Sequence, residues 1–151
     1  MIFEIEKPDY VMSPYTGMTR KHWLDAGRYL LTGIFQNIEN IDHPVIMPRK
    51  ETKVTYPHTG ASPQQNDIEH KAEIFEGLTR SFFIAAVMIL NEPDIEICGI
   101  RLRDYYAKHI LRACTSDDEL YVGDYEYMQK VSGSKDSFRC YQQTVESCAL
   151  V

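Results

Sequence analysis

The sequence predicts an all-α domain assembled from helical hairpins. Two observations carry this: apolar residues recur at helical spacing in three long segments, and the alternation that marks strands is scarce. A third is permissive. A chain of 151 residues with 44% apolar composition buries roughly 70% of its unfolded surface, with no need of a metal or disulfide staple.

After an extended lead over residues 1–18, Pro14-Tyr15-Thr16-Gly17 marks a turn, and Thr19 is suited to an N-cap. A helix is predicted from Arg20 to about Glu39. It carries two apolar stripes, Trp23-Gly27-Leu30-Ile34 and Leu24-Leu31-Phe35-Ile38. An arc that wide is expected to be covered on more than one side. Residues 40–65 break the pattern with Pro44, Pro48, Pro57 and Pro63, leaving room for a short extended piece at Thr52–Tyr56. Loops of that length are usually functional or disordered, and Arg49, Lys50, Lys53, Tyr56 and His58 equip this one for binding.

The second helix is predicted to start at Asn66 or Asp67, where Asn66 and Glu69 resemble a capping box. It stops at Asn91-Glu92, because the residue before Pro93 avoids the helical region. From Phe82 to Leu90 the sequence is apolar on every side, which predicts burial of this half. Asp94 is a candidate cap for a third helix, Cys98-Gly99 leaves its start open, and Ile100 to about Ala113 is its firm part. Thr115-Ser116-Asp117-Asp118 ends it. A short helix is expected over residues 124–130, and a last one over 139–151 with Tyr141, Val145, Cys148 and Ala149 on one face. The chain finishes without a glycine stop or a basic last turn. That reads as a portion of something longer.

Composition excludes several classes. Sixteen basic against 22 acidic residues give a net charge of −6, opposite in sign to a nucleic-acid-binding surface. The longest apolar run, Phe82 to Leu90, falls short of the roughly 20 residues that span a bilayer. Glu4 and Glu6 sit where an export signal would be basic and then apolar, so a cytoplasmic location is expected. The four cysteines (Cys98, Cys114, Cys140 and Cys148) lack metal-binding spacing and are read as thiols with packing roles. No cofactor fingerprint and no metal site is read from the sequence; His70 and Glu73 alone do not make one.

The richest chemistry lies on the second helix. Glu69, Glu73, Glu76 and Arg80 share a narrow stripe at helical spacing. Crowded carboxylates beside one arginine suit acid–base work; the other reading is a solvated face with a Glu76–Arg80 pair. Glycosidic hydrolysis needs two carboxyl groups, with Asp104 and Asp124 as partners by residue type only. Arg20, Lys21 and His22 precede Trp23, whose ring can stack on a sugar or lie in the core.

The runs Ser13–Trp23, Ala72–Phe82 and Gln142–Glu146 resemble the N-terminal part of the bacterial domain-of-unknown-function 2264 family, most specifically at Glu76-Gly77-x-x-Arg80. The resemblance runs from about residue 13 to the end. It implies part of an (α/α)6 toroid and membership of a glycoside hydrolase group that contains exo-β-glucuronidases. On that reading Glu76, then Glu73, is the acid or base, and Arg80, Arg20 and Arg49 recognise a uronic-acid carboxylate. Trp23, Tyr56 and His58 contact sugar, and the 151-residue portion is expected to be inactive alone. The competing reading is a non-catalytic helical module that binds a glycan or a protein, or associates with itself through exposed apolar helix faces.

Overall fold

In a computed structural model the chain is described over residues 6–49 and 59–121. The order is α1 (Arg20–Phe35), α2 (Pro63–Asn91), β1 (Glu96–Ile97), β2 (Ile100–Arg101) and α3 (Leu102–Ala113). The predicted elements at 52–56, 124–130 and 139–151 lie outside the described residues, as do Cys140 and Cys148.

The lead is not extended throughout. The Asp9 N–H donates to Gly17 O at 2.8 Å, and the Asp9 carboxylate accepts from the Val11 and Met12 N–H groups, closing residues 9–17 into a loop. Gly17 has φ +67°, and an added Cβ would lie 2.6 Å from Pro8 Cβ, so only glycine fits this turn. Thr19 then caps α1, and His22 reaches back to accept the Thr19 N–H on Nδ1 at 3.0 Å.

Helices α1 and α2 run antiparallel. Arg20 donates to Asn91 at one end, and Gly27 lies against Ile84 and Met88 further along. A Cβ on Gly27 would meet Met88 Sδ at 2.8 Å, so the Met88 thioether occupies the space that the glycine leaves between the helices. Leu31, Phe35 and Ile38 are buried, with Leu24 and Ile34 packed against them. Trp23 and Leu30 remain 60% and 52% exposed, so the expected cover on a second side is missing in the described chain.

Helix α2 begins at Pro63, earlier than Asn66, because proline is suited to the first turn, where its missing N–H costs nothing. Its buried face runs through Ile74, Leu78, Ser81, Ala85 and Met88. Ser81 and Thr79 are tolerated there because their hydroxyls donate to Gly77 O and Phe75 O. The apolar second half is not buried all round: Phe83, Val87 and Leu90 are exposed.

A tight antiparallel hairpin precedes α3. Cys98 and Gly99 both have positive φ, 52° and 78°, the conformation a two-residue hairpin turn requires. Cys98 and Cys114 are exposed, not packed as expected. Helix α3 then delivers Tyr105, Tyr106 and His109 into the core. Tyr105 packs edge-on against Phe35 with centroids 5.0 Å apart, and Tyr106 lies 5.2 Å from Phe82. Both phenols find partners: Tyr106 donates to Ser81 Oγ and Tyr105 to His43 O, each at 2.8 Å. His109 Nε2 donates to Ile41 O at 3.0 Å, and Arg112 donates to Asp42 O at 3.1 Å. Through these three side chains α3 holds residues 41–43 in place. That anchoring aims the following stretch along α2, towards the acidic stripe.

Candidate functional site

Beyond the residue 41–43 anchor, Val45 is buried against α2 at Gly77. A Cβ on Gly77 would stand 2.7 Å from Val45 O, a backbone atom that cannot move aside cheaply. The glycine of the Glu76-Gly77-x-x-Arg80 motif therefore seats the loop on the helix. Four residues later Arg49 donates from Nη2 to Glu73 Oε1. Two residues singled out from the sequence, one in the loop and one on the helix, are thus brought together.

The Glu73 side chain is only 11% exposed. Its Oε1 is held by Arg49, while its Oε2 is buried with no hydrogen-bond partner. Leaving such an acceptor unsatisfied costs on the order of 1–3 kcal/mol, and natural structures seldom tolerate it without a reason. Chemically the arrangement is a carboxylate oriented by a guanidinium, with one oxygen ready to accept a ligand hydroxyl or to carry a proton. Arg49 itself is 35% exposed and has donors left for a second carboxylate.

Glu76 differs. It forms an i,i+4 pair with Arg80 at 2.8 Å, with side chains 38% and 74% exposed, the geometry of a solvated helix face. The acidic stripe therefore divides: Glu73 is enclosed under the loop, and Glu76 and Arg80 stand in water. Asp104 lies in the first turn of α3, about half exposed, beside Arg101 at 3.6 Å.

Arg20 and Trp23 lie elsewhere. Glu73 and Asn91 are 18 positions apart on α2, about 27 Å at helical rise, and Arg20 sits at the Asn91 end. Arg20, Lys21, Asp25, Arg28, Asn91 and Glu92 surround an open groove of about 400 Å³ floored by Leu24 and Met88. Lys21 bonds Asp25 at 2.8 Å and Glu6 at 2.6 Å, which hold its amine above the ordinary lysine range, and Arg28 pairs with Glu92. The pattern along the sequence does not reveal this groove because the two pairs that join its walls, Arg20–Asn91 and Arg28–Glu92, link residues more than 60 positions apart. Tyr56, His58 and Asp124 lie outside the described residues.

Among the described residues no group of three His, Cys, Asp or Glu side chains could hold a metal ion, and no helix is long and apolar enough to cross a membrane. No protein-family model matches the chain, and neither a curated protein nor a solved structure matches it.

Proposed function

We propose that this chain is part of a glycoside hydrolase acting on uronic-acid-containing glycans, in which Glu73 is the acid or base and Arg49 orients it. The observation that carries the reading is the enclosed Glu73 carboxylate, clasped on one oxygen and unpartnered on the other. Glycosidic cleavage uses one carboxyl group to protonate or deprotonate and a second across the scissile bond; Glu73 supplies one of the two. The exposed donors of Arg49 suit a uronate carboxylate by paired N–H···O bonds. Glu76 and Arg80, favoured by spacing, are better placed as a flanking surface pair. A single sugar unit cannot touch both Glu73 and Trp23, so Trp23 and Arg20 serve, in this reading, a more distant portion of an extended glycan. The succession of α1, α2 and α3 is compatible with consecutive hairpins of the (α/α)6 toroid that we propose for the complete domain.

Calorimetric titration with glucuronate and with a glucuronide-containing oligosaccharide tests this. Saturable binding is expected, weakened at least tenfold by Glu73→Gln or Arg49→Met and little changed by Glu76→Gln. Absence of binding, or an unaffected Glu73→Gln, removes the reading. A second reading, a non-catalytic module that binds a glycan or protein, is favoured by the exposed apolar side chains of α1 and α2. Saturable binding without release from a chromogenic β-glucuronide, in a protein carrying the complete domain, would select it.

A further inference from the structure

The α1–α2 pair has two sides, and α3 covers one of them. Gly27 marks the line of contact on α1, and Ile84 marks it on α2. At 100° per residue, Trp23 and Leu30 are rotated about 40° and 60° from Gly27, and Val87 and Phe83 are rotated about 60° and 100° from Ile84 in the same sense. Because the helices are antiparallel, equal rotation brings these four side chains to one side, away from α3. Leu90 extends the same stripe of α2.

Their exposures are 60% for Trp23, 52% for Leu30, 66% for Phe83, 55% for Val87 and 84% for Leu90. Together the five side chains leave on the order of 600 Å² of apolar area open, at the upper limit of the largest patch on a typical monomer. That is close to the roughly 800 Å² that each partner contributes to a stable interface. The patch is free of charge over the last two turns of α2, and the Glu76–Arg80 pair borders it at the other end. A core of aromatic and aliphatic residues with an ionic rim is the anatomy of an interface.

We propose that this face pairs two copies of the chain, α1 and α2 of one against α1 and α2 of the other, in a two-fold four-helix arrangement. A flat pair of antiparallel helices is what such a bundle is made from, and an isologous contact requires only that the patch meet itself. The inference uses neither Glu73 nor Arg49, so it and the glycosidase reading stand or fall separately.

Light scattering of the full chain, from low micromolar to sub-millimolar concentration, tests the proposal alongside the emission of Trp23, the sole tryptophan. The mass is expected to double with concentration while the emission shifts to the blue and quenching by acrylamide falls. Leu90→Asp and Val87→Asp, both at exposed positions, should hold the protein at monomer mass with unchanged helical circular dichroism. A monomer at all concentrations overturns the proposal. If its Trp23 is nevertheless shielded, the occupant belongs to the same chain. A dimer that survives both substitutions overturns it equally.

Discussion

Two buried polar clusters lie on either side of the loop that crosses α2, and they are built on opposite terms. Under α3, Tyr105, Tyr106 and His109 each spend their polar atoms on a partner: His43 O, Ser81 Oγ and Ile41 O. Burial drives both phenols above the ordinary tyrosine range, so they remain protonated donors. At the far end of the same loop, Glu73 has one oxygen bound and one without a partner. Satisfied buried polar groups fix one packing of the chain, whereas an unsatisfied one keeps a capacity the fold does not use. Tyr105 and His109 spend their bonds on holding the loop to α3, whereas Glu73 Oε2, like His22 Nε2 and His43 Nδ1, is buried without a partner.

The largest effect that sharpens this contrast is expected from Tyr105→Ala. It removes a ring with no exposed surface, its contact with Phe35 and the bond to His43 O. A loss of about 3–5 kcal/mol is expected for an aromatic truncation in a core, read from urea unfolding; a change below 1 kcal/mol would show that α3 does not anchor the loop. Gly77→Ala comes next. Its new Cβ would press on Val45 O, and overpacking of this kind costs about 1–3 kcal/mol. The loop should lift as well, so sugar binding should be lost together with stability. Retained binding would detach Arg49 from the proposed site.

Smaller again is a pH effect from His109. Burial, which outweighs its bond to Ile41 O, holds the imidazole below the ordinary histidine range, with Arg112 and Lys108 adding to the depression. The unfolded chain therefore takes up the proton first as pH falls. The contribution is full above the ordinary value of about 6.5, declines below it, and levels off only beneath the depressed native value. Asp42 and Asp118 act lower down. Lys108 and Arg112, respectively, hold their carboxylates below the ordinary range, so what they contribute persists until the medium is strongly acid. Unfolding midpoints at pH 7.5 and pH 5 should differ in the wild type and converge in His109→Gln. An equal slope in both would remove His109 from the account.

The helices were legible because periodicity survives without context: α2 ends before Pro93 and α3 ends at Ala113, as the pattern requires. What failed, failed for long-range reasons. The Cys98-Gly99 turn follows a hairpin rule, but strands of two residues are too short to show alternation. The apolar half of α2 predicts burial, and local sequence holds no signal that Phe83, Val87 and Leu90 stay exposed among the described residues. Arg49 and Glu73 could each be nominated by residue type, yet their meeting depends on Gly77 and on three α3 side chains that fix residues 41–43. That order of dependence is why spacing points to Glu76, whereas the proposal made above rests on Glu73.

The smallest effects decide between those two carboxylates. Glu76→Gln breaks a solvent-exposed i,i+4 pair, and such pairs contribute about 0.3–0.5 kcal/mol. Its cost should be no larger, and it should disappear in high salt as screening replaces the pair. Glu73→Gln removes a charge from an enclosed site but leaves Arg49 partly in water, where the guanidinium can rehydrate. Its stability cost should therefore also be small, while its effect on ligand binding should be large. A residue retained for packing behaves the other way round, losing stability and binding in step. Unfolding and titration measured on the same two variants therefore separate the roles: if Glu73→Gln is strongly destabilising and binding falls only in proportion, the clasped carboxylate belongs with the Tyr105 cluster as a structural element.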